Sequence, residues 1–301
     1  MDDLTRFEIL ENMGFEEDPF KKEFLTADIK RIRKLIKPII KTKAMVSIIG
    51  NRGHGKTTAV NDALNHANAT KITIETIDKR RLQSSDIEYS LILALSDEPP
   101  KQMKEIRARQ LRRIIGEASK QNIVLIIENA HRIHPQTLLC LKDLKELEWM
   151  GESNLFSTVL IGQSDPLKKA GLSEVFLRSD AIYLQGLSTE EISGYIQATV
   201  GKVFTEKAIM ALADREENCN YLDLQQSIYT LMNRAIANGK DKISVNDVKS
   251  VFGIPDRENA KGNTKPKEKE ENRKTSGNNN LRNILNLKET ETLQATGTDG
   301  I

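Results

Sequence analysis

Apolar positions in this chain recur with two periods, and the place where one gives way to the other divides it. Up to about residue 187, short apolar runs alternate with stretches of helical period; from Ser188 only the helical period remains. An apolar run from Met45 carries Val46, Ile48 and Ile49, reads as the end of a buried strand, and is followed by a helix from Thr58 to Leu64. Lys71 to Ile77 sets Ile72 and Ile74 against polar neighbours, a second strand. Ile123 to Ile127 is continuously apolar, as a central parallel strand is, and Phe156 to Gly162 is a fourth. Between the strands lie helical stretches. One runs from about Thr26 to Ile40, with Ile29, Ile32, Leu35, Ile36 and Ile39 on one face and lysines and arginines on the other. Another spans about Ser85 to Leu95, ended by Pro99-Pro100. Residues 101–120 form an amphipathic helix whose expected buried stripe is Met103, Ile106, Leu111, Ile114, Ile115 and Ala118. A helix opening at Pro135 carries Leu138, Leu139, Leu141, Leu144 and Leu147 as core. This alternation predicts an α/β fold, a doubly wound parallel sheet with its ligand at the carboxyl ends of the strands.

The helical remainder begins with a capping box, Ser188-Thr189-Glu190-Glu191, and Ser244 with Asp247 three residues on repeats that signal. Helices near 189–200, 205–215, 221–237 and 245–251 predict a small C-terminal helical bundle. Beyond Pro255 few apolar residues remain among Lys, Glu, Asn, Thr and Gly, which reads as a disordered polar tail broken by one apolar island, Leu281, Ile284, Leu285 and Leu287. The domains expected are therefore 1–43 (an aromatic segment, Phe15 to Phe20 around Pro19, packing onto the domain that follows, then a helix), 44–187 (α/β), 188–254 (helical) and 255–301 (tail).

Composition narrows the class without naming it. A formal charge of +2 over 301 residues leaves any nucleic-acid contact to a local patch. Residues 101–120 hold seven Lys and Arg against two Glu, a net of +5, and Lys79-Arg80-Arg81 is a second basic cluster. Cys140 and Cys219 stand in unrelated contexts, which fits a reducing cytoplasm. His131 and His134 lie three apart with no cysteine or third histidine near them, short of a metal site. No apolar run is long enough to span a bilayer, so no membrane partner is expected.

The strand ending at Ile49 runs into Gly50-Asn51-Arg52-Gly53-His54-Gly55-Lys56-Thr57-Thr58, which fits G-x-x-x-x-G-K-[ST] with strand before and helix after. Gly50, Gly53 and Gly55 let the backbone wrap a polyphosphate, with amides of the loop and of the helix N-terminus turned towards it. Lys56 is expected to reach the β- and γ-phosphates and the Thr57 hydroxyl to ligate Mg²⁺. The pattern implies a nucleoside triphosphate, ATP, with Mg²⁺. Such a loop needs a second acidic element after an apolar strand, and Glu128 follows Ile123–Ile127. Glu128 then takes the magnesium position and Asn129 the place of a general-base glutamate; in the other register Glu128 is the base and Ile127 fills the magnesium position, which is chemically worse. Asparagine orients water but accepts no proton, so slow hydrolysis of ATP to ADP and phosphate is expected.

Together with Gly14-Phe15 to Pro19-Phe20, Glu128 to Ile133 with Pro135, Val159 to Gln163 and Leu187 to Glu191, in this order, the chain resembles the AAA+ ATPases of the transposon target-selection and secretion-accessory group (TnsC, TniB, MuB and ExeA types). The resemblance spans residues 10–253. It implies that Gln163 senses the γ-phosphate, that Arg178 reaches a neighbour's nucleotide in a homo-oligomer (ring or helical filament), and that Asp223 stands where an arginine sensor is common. It also implies that Lys79, Arg80 and Arg81 face double-stranded DNA without sequence preference and that a transposase is recruited. The alternative it allows is a secretion-accessory or signalling switch acting on a protein partner; relatives of the secretion kind commonly continue into a membrane segment and a peptidoglycan-binding module, and neither is expected here.

Overall fold

The computed structural model describes residues 4–74, 82–168 and 179–253. Lys79, Arg80, Arg81, Arg178 and the tail fall outside the described residues, and with them the expectations placed there. Five parallel strands form one sheet: β1 (Met45–Ile49), β2 (Thr70–Ile74), β3 (Ile123–Ile127), β4 (Ser157–Gly162) and β5 (Ser179–Tyr183), in the order β2-β3-β4-β1-β5. Val46 lies beside Val159 of β4 on one side and Asp180 of β5 on the other, so the strand feeding the glycine-rich loop is interior. The fifth strand, Ser-Asp-Ala-Ile-Tyr, was not anticipated. It is an edge strand, with Ile182 as its buried apolar side chain, so it carries no run for a pattern to detect.

Alternation along the strands sorts the core into two layers. On one face Ile123, Leu125 and Ile127 pack with α4 (Ser84–Leu95), α5 (Lys104–Ala118) and α6 (Pro135–Lys145). On the other, Val124 and Ile126 join Val46, Ile48, Val159 and Ile161 against α2 (Ala27–Thr42) and α3 (Lys56–His66). The sheet is doubly wound, as the pattern required.

Helix α5 corrects its expected stripe. It begins at Lys104, and Met103 and Ile106 are 63% and 45% exposed, while Arg107 is buried. The guanidinium has several partners: it donates to Glu88 at 2.7 Å and to the carbonyls of Lys101 and Gln102 at 3.2 and 3.0 Å, and it lies 4.8 Å from the Tyr89 ring centre. A charge with that many partners is stable out of water, so the buried face turned to include Arg107 and Gln110.

The helical portion comprises α7 (Thr189–Thr199), α8 (Glu206–Ala213), α9 (Tyr221–Ala237) and α10 (Val245–Phe252), with both capping boxes formed, Ser188 with Glu191 and Ser244 with Asp247. The aromatic N-terminal segment packs here, not on the α/β layers that follow it. Ile9, Leu10 and Met13, around α1 (Arg6–Asn12), join the cluster of α7 and α9, and the Phe20 ring lies 5.4 Å from that of Tyr229. The complementary rings are on the bundle, which decides the partner.

Candidate functional site

Three strand ends meet at one lip of the sheet. The chain leaves β1 into the loop 50–55, where Gly53 and Gly55 have φ of +85° and +71°. Gly53 has no room for a side chain and Gly55 little. A Cβ on Gly53 would stand 2.6 Å from Asn220 Oδ1, and one on Gly55 would stand 3.2 Å from the Tyr221 ring. The loop is tied down at both ends, the Gly50 amide donating to Gly162 O at 3.2 Å and the Tyr221 amide to Gly53 O at 3.0 Å. Asn220 caps α9, accepting from the Asp223 amide at 2.9 Å and donating to its carboxylate, so Asp223 serves the cap and brings no cation to the loop.

Lys56 and Thr57 open α3. Lys56 Nζ donates to Gly50 O at 2.9 Å and Asn51 O at 2.8 Å, folded back onto its own loop. Burial pulls this ammonium below the ordinary lysine value, against the opposing pull of the Glu128 carboxylate. Thr57 Oγ1 donates to both oxygens of Glu128, at 2.9 and 3.1 Å, and the Glu128 amide donates to Ile74 O. With Arg52, Gly53, Asn129, Arg132 and Gln163 these residues line a cavity of about 420 Å³. The hydroxyl and carboxylate are hard oxygen donors of the kind Mg²⁺ takes, and a site of one or two protein oxygens completed by phosphate and water needs no larger cluster. Among the described residues no group of three or more His, Cys, Asp and Glu is placed to hold a metal.

Asn129 sits beside Glu128 with φ of +51°, in left-handed backbone that asparagine tolerates better than most residues. The two histidines have structural partners: His131 Nδ1 accepts from the Gln163 amide at 3.3 Å, and His134 Nδ1 accepts from the Gln136 amide at 3.2 Å. His54 turns inward. Its ring is buried against Gly50 and Gly186, and among the described residues neither nitrogen has a hydrogen-bond partner, a desolvation cost carried inside the loop.

Sequence reasoning missed a second cavity, of about 570 Å³, on the other side of the loop. Its walls include Phe24, Gly55, Thr58, Tyr195 and Tyr221, with the Tyr195 ring 5.5 Å from Phe24 and 5.4 Å from Tyr221. Aromatic faces beside a phosphate loop suit a planar base. Those residues come from four separated stretches of chain, and no local pattern links them. A larger groove of about 1450 Å³ follows residues of the N-terminal segment and Lys202 and includes no residue of the loop, so the chemistry is not there.

Residues 39–169 match the model of a family described as AAA domain. Among solved structures the chain is similar to Cdc6p from Pyrobaculum aerophilum, at 14% identity and a TM-score of 0.58, covering 82% of this chain and 72% of that one. The fold is the AAA+ P-loop fold. Drosophila ORC bound to DNA (12% identity, TM-score 0.60, 84% of this chain and 68% of that one) and the Thermotoga maritima RuvB Holliday junction branch migration motor (14%, 0.52, 79% and 74%) share it. No curated protein matches the sequence. In this chain the structure brings together Arg52, Gly53, Lys56, Thr57, Glu128, Asn129 and Gln163.

Proposed function

We propose that the chain is an ATP-dependent, DNA-binding accessory ATPase of the transposition type. The observation that carries the nucleotide part is the bond from Thr57 to Glu128 at the lip of a cavity shared with Lys56. The triphosphate lies along the amides of Gly53 to Thr57 with its base towards Tyr195 and Tyr221. Lys56 leaves the carbonyls of Gly50 and Asn51 for the phosphates. Mg²⁺, held by Thr57 and Glu128, supplies charge stabilisation when bound. Asn129 and Gln163 orient water and the terminal phosphate through amide hydrogen bonds, and with no base beside them turnover is slow.

The DNA part is supported by the likeness of the quoted sequence stretches to the transposon group and by the shared fold of a relative solved bound to DNA. Subunits assemble on the duplex, with Arg178 serving a neighbour's nucleotide and Lys79, Arg80 and Arg81 meeting phosphates. The oligomer then recruits a transposase, and slow hydrolysis times its release. The test is binding to random-sequence duplex with ATP, ADP or no nucleotide, followed by negative-stain imaging. Salt-sensitive binding that needs ATP, with filaments or rings, is the expected result. Equal binding in all three conditions, or none in any, refutes the proposal and points to a protein partner.

A further inference from the structure

Helix α2 carries a charged feature that plays no part in the nucleotide site. From Ala27 to Thr42 it holds six Lys and Arg and one acid, Asp28, which is buried and accepts from the Gln185 and Gly186 amides at 2.9 and 3.0 Å. Two of the cations are committed. Arg33 forms a two-pronged pair with Asp62 of α3 at 2.5 and 2.6 Å, and Arg31 donates to Tyr183 O at 3.1 Å. The other four, Lys30, Lys34, Lys37 and Lys41, are all exposed. Their spacing of four, three and four puts them on a single stripe. Among the described residues none of the four has an ion pair or hydrogen bond through its side chain.

Such a stripe costs stability. Like charges at this spacing repel one another, and Lys30 sits near the positive end of the helix dipole. The opposite stripe, Ile32, Ile36 and Ile40, is buried beneath it, so the helix is fixed and the lysines are presented in a row. The row is about 16 Å long at 1.5 Å per residue. One strand of a duplex offers a phosphate about every 3.4 Å along the axis, so the row spans about five phosphates. With the apolar face of α2 inside the core, the helix has nothing to insert into a lipid surface.

We propose that Lys30, Lys34, Lys37 and Lys41 form a docking face for the phosphate backbone of duplex DNA, in addition to any contact made by Lys79, Arg80 and Arg81. The inference rests on the DNA-binding reading above. A face made of lysines positions a duplex without reading its bases.

The experiment compares the full chain with a quadruple variant, Lys→Gln at 30, 34, 37 and 41, in anisotropy titrations of random duplex with ATP as salt is varied. The slope of log affinity against log salt is expected to fall by about 3 to 4 in the variant, with affinity at low salt reduced at least about tenfold for every sequence alike. Nucleotide binding, read with a fluorescent ATP analogue, stays at the wild-type level. Single variants, each lowering the slope by about one, keep the result readable if the quadruple chain folds poorly. An unchanged slope with the wild-type chain still binding DNA overturns the docking face and leaves the DNA reading standing. A wild-type chain that binds no duplex overturns both. Loss of binding to polyglutamate with DNA binding intact also overturns it, in favour of an acidic protein surface.

Discussion

Asn129 shows how one residue can satisfy the backbone and restrain the chemistry together. Its left-handed φ would cost a glutamate roughly 1–2 kcal/mol, yet glutamate there would supply the missing base beside Glu128. The variant Asn129→Glu is therefore expected to melt a few degrees lower and to release phosphate from ATP at least about tenfold faster. An unchanged rate in a folded, nucleotide-binding variant would show that Asn129 is not what limits turnover. At this scale the sequence was informative where a motif fixes neighbours, as with Lys56 and Thr57; Glu128, read as the acid after an apolar strand, lies within hydrogen-bond reach of Thr57. Gln163 lines the same cavity. The motif placed His54 among the nucleotide-binding residues of the loop but did not set the direction of its side chain, which turns to the interior because Gly50 and Gly186 leave room for the ring there.

Among the elements, α10 carries the clearest electrostatic dependence. Asp247, third in its capping box, is partly desolvated, which alone would raise its pKa. Bonds from Lys240 at 2.6 Å and from the Ser244 amide and hydroxyl at 2.9 and 2.7 Å outweigh that and hold it down to about 2, below an ordinary value of 3.8. Because the folded carboxyl titrates lower than the free one, its stabilisation is complete above the free value and drains away as pH falls towards 2. Asp247→Asn should lower stability by about 1 kcal/mol near neutral pH. The gap between the urea midpoints of the two chains should close as pH falls below 4, and a gap independent of pH would assign the loss to packing. Elements of this kind were legible because Ser-x-x-Asp is local. The true buried face of α5 was not, since burial of Arg107 depends on Glu88 and Tyr89, which a periodicity reading cannot place. Nor was β5, half polar and at the edge.

In the molecule as a whole, the nucleotide loop and the helical portion meet at a few points with no slack. The Tyr221 amide holds Gly53 O, Asp28 holds the Gln185–Gly186 turn, and Gly186, at φ +83°, would put a Cβ 2.4 Å from Cys219 O and 3.3 Å from the His54 ring. Any side chain at 186 therefore pushes the Cys219 segment, just ahead of α9, away from the loop, as well as straining the backbone. Strain of this type costs about 1–3 kcal/mol. If it were merely local, Gly186→Ala would lower the melting temperature and leave the stabilisation by Mg-ATP alone. The walls of the base-sized cavity include Tyr195 and Tyr221 from the helical portion and Gly55 and Thr58 from the loop and α3, so shifting one against the other should weaken binding itself. At a ligand concentration about a hundredfold above Kd, binding contributes about 2.7 kcal/mol, a shift of several degrees that Lys56→Ala should abolish. Gly186→Ala is expected to lose half or more of that shift in addition to its lower starting point. A variant that starts lower but keeps the full ATP-dependent shift would mean that the turn supports the fold without setting the nucleotide site.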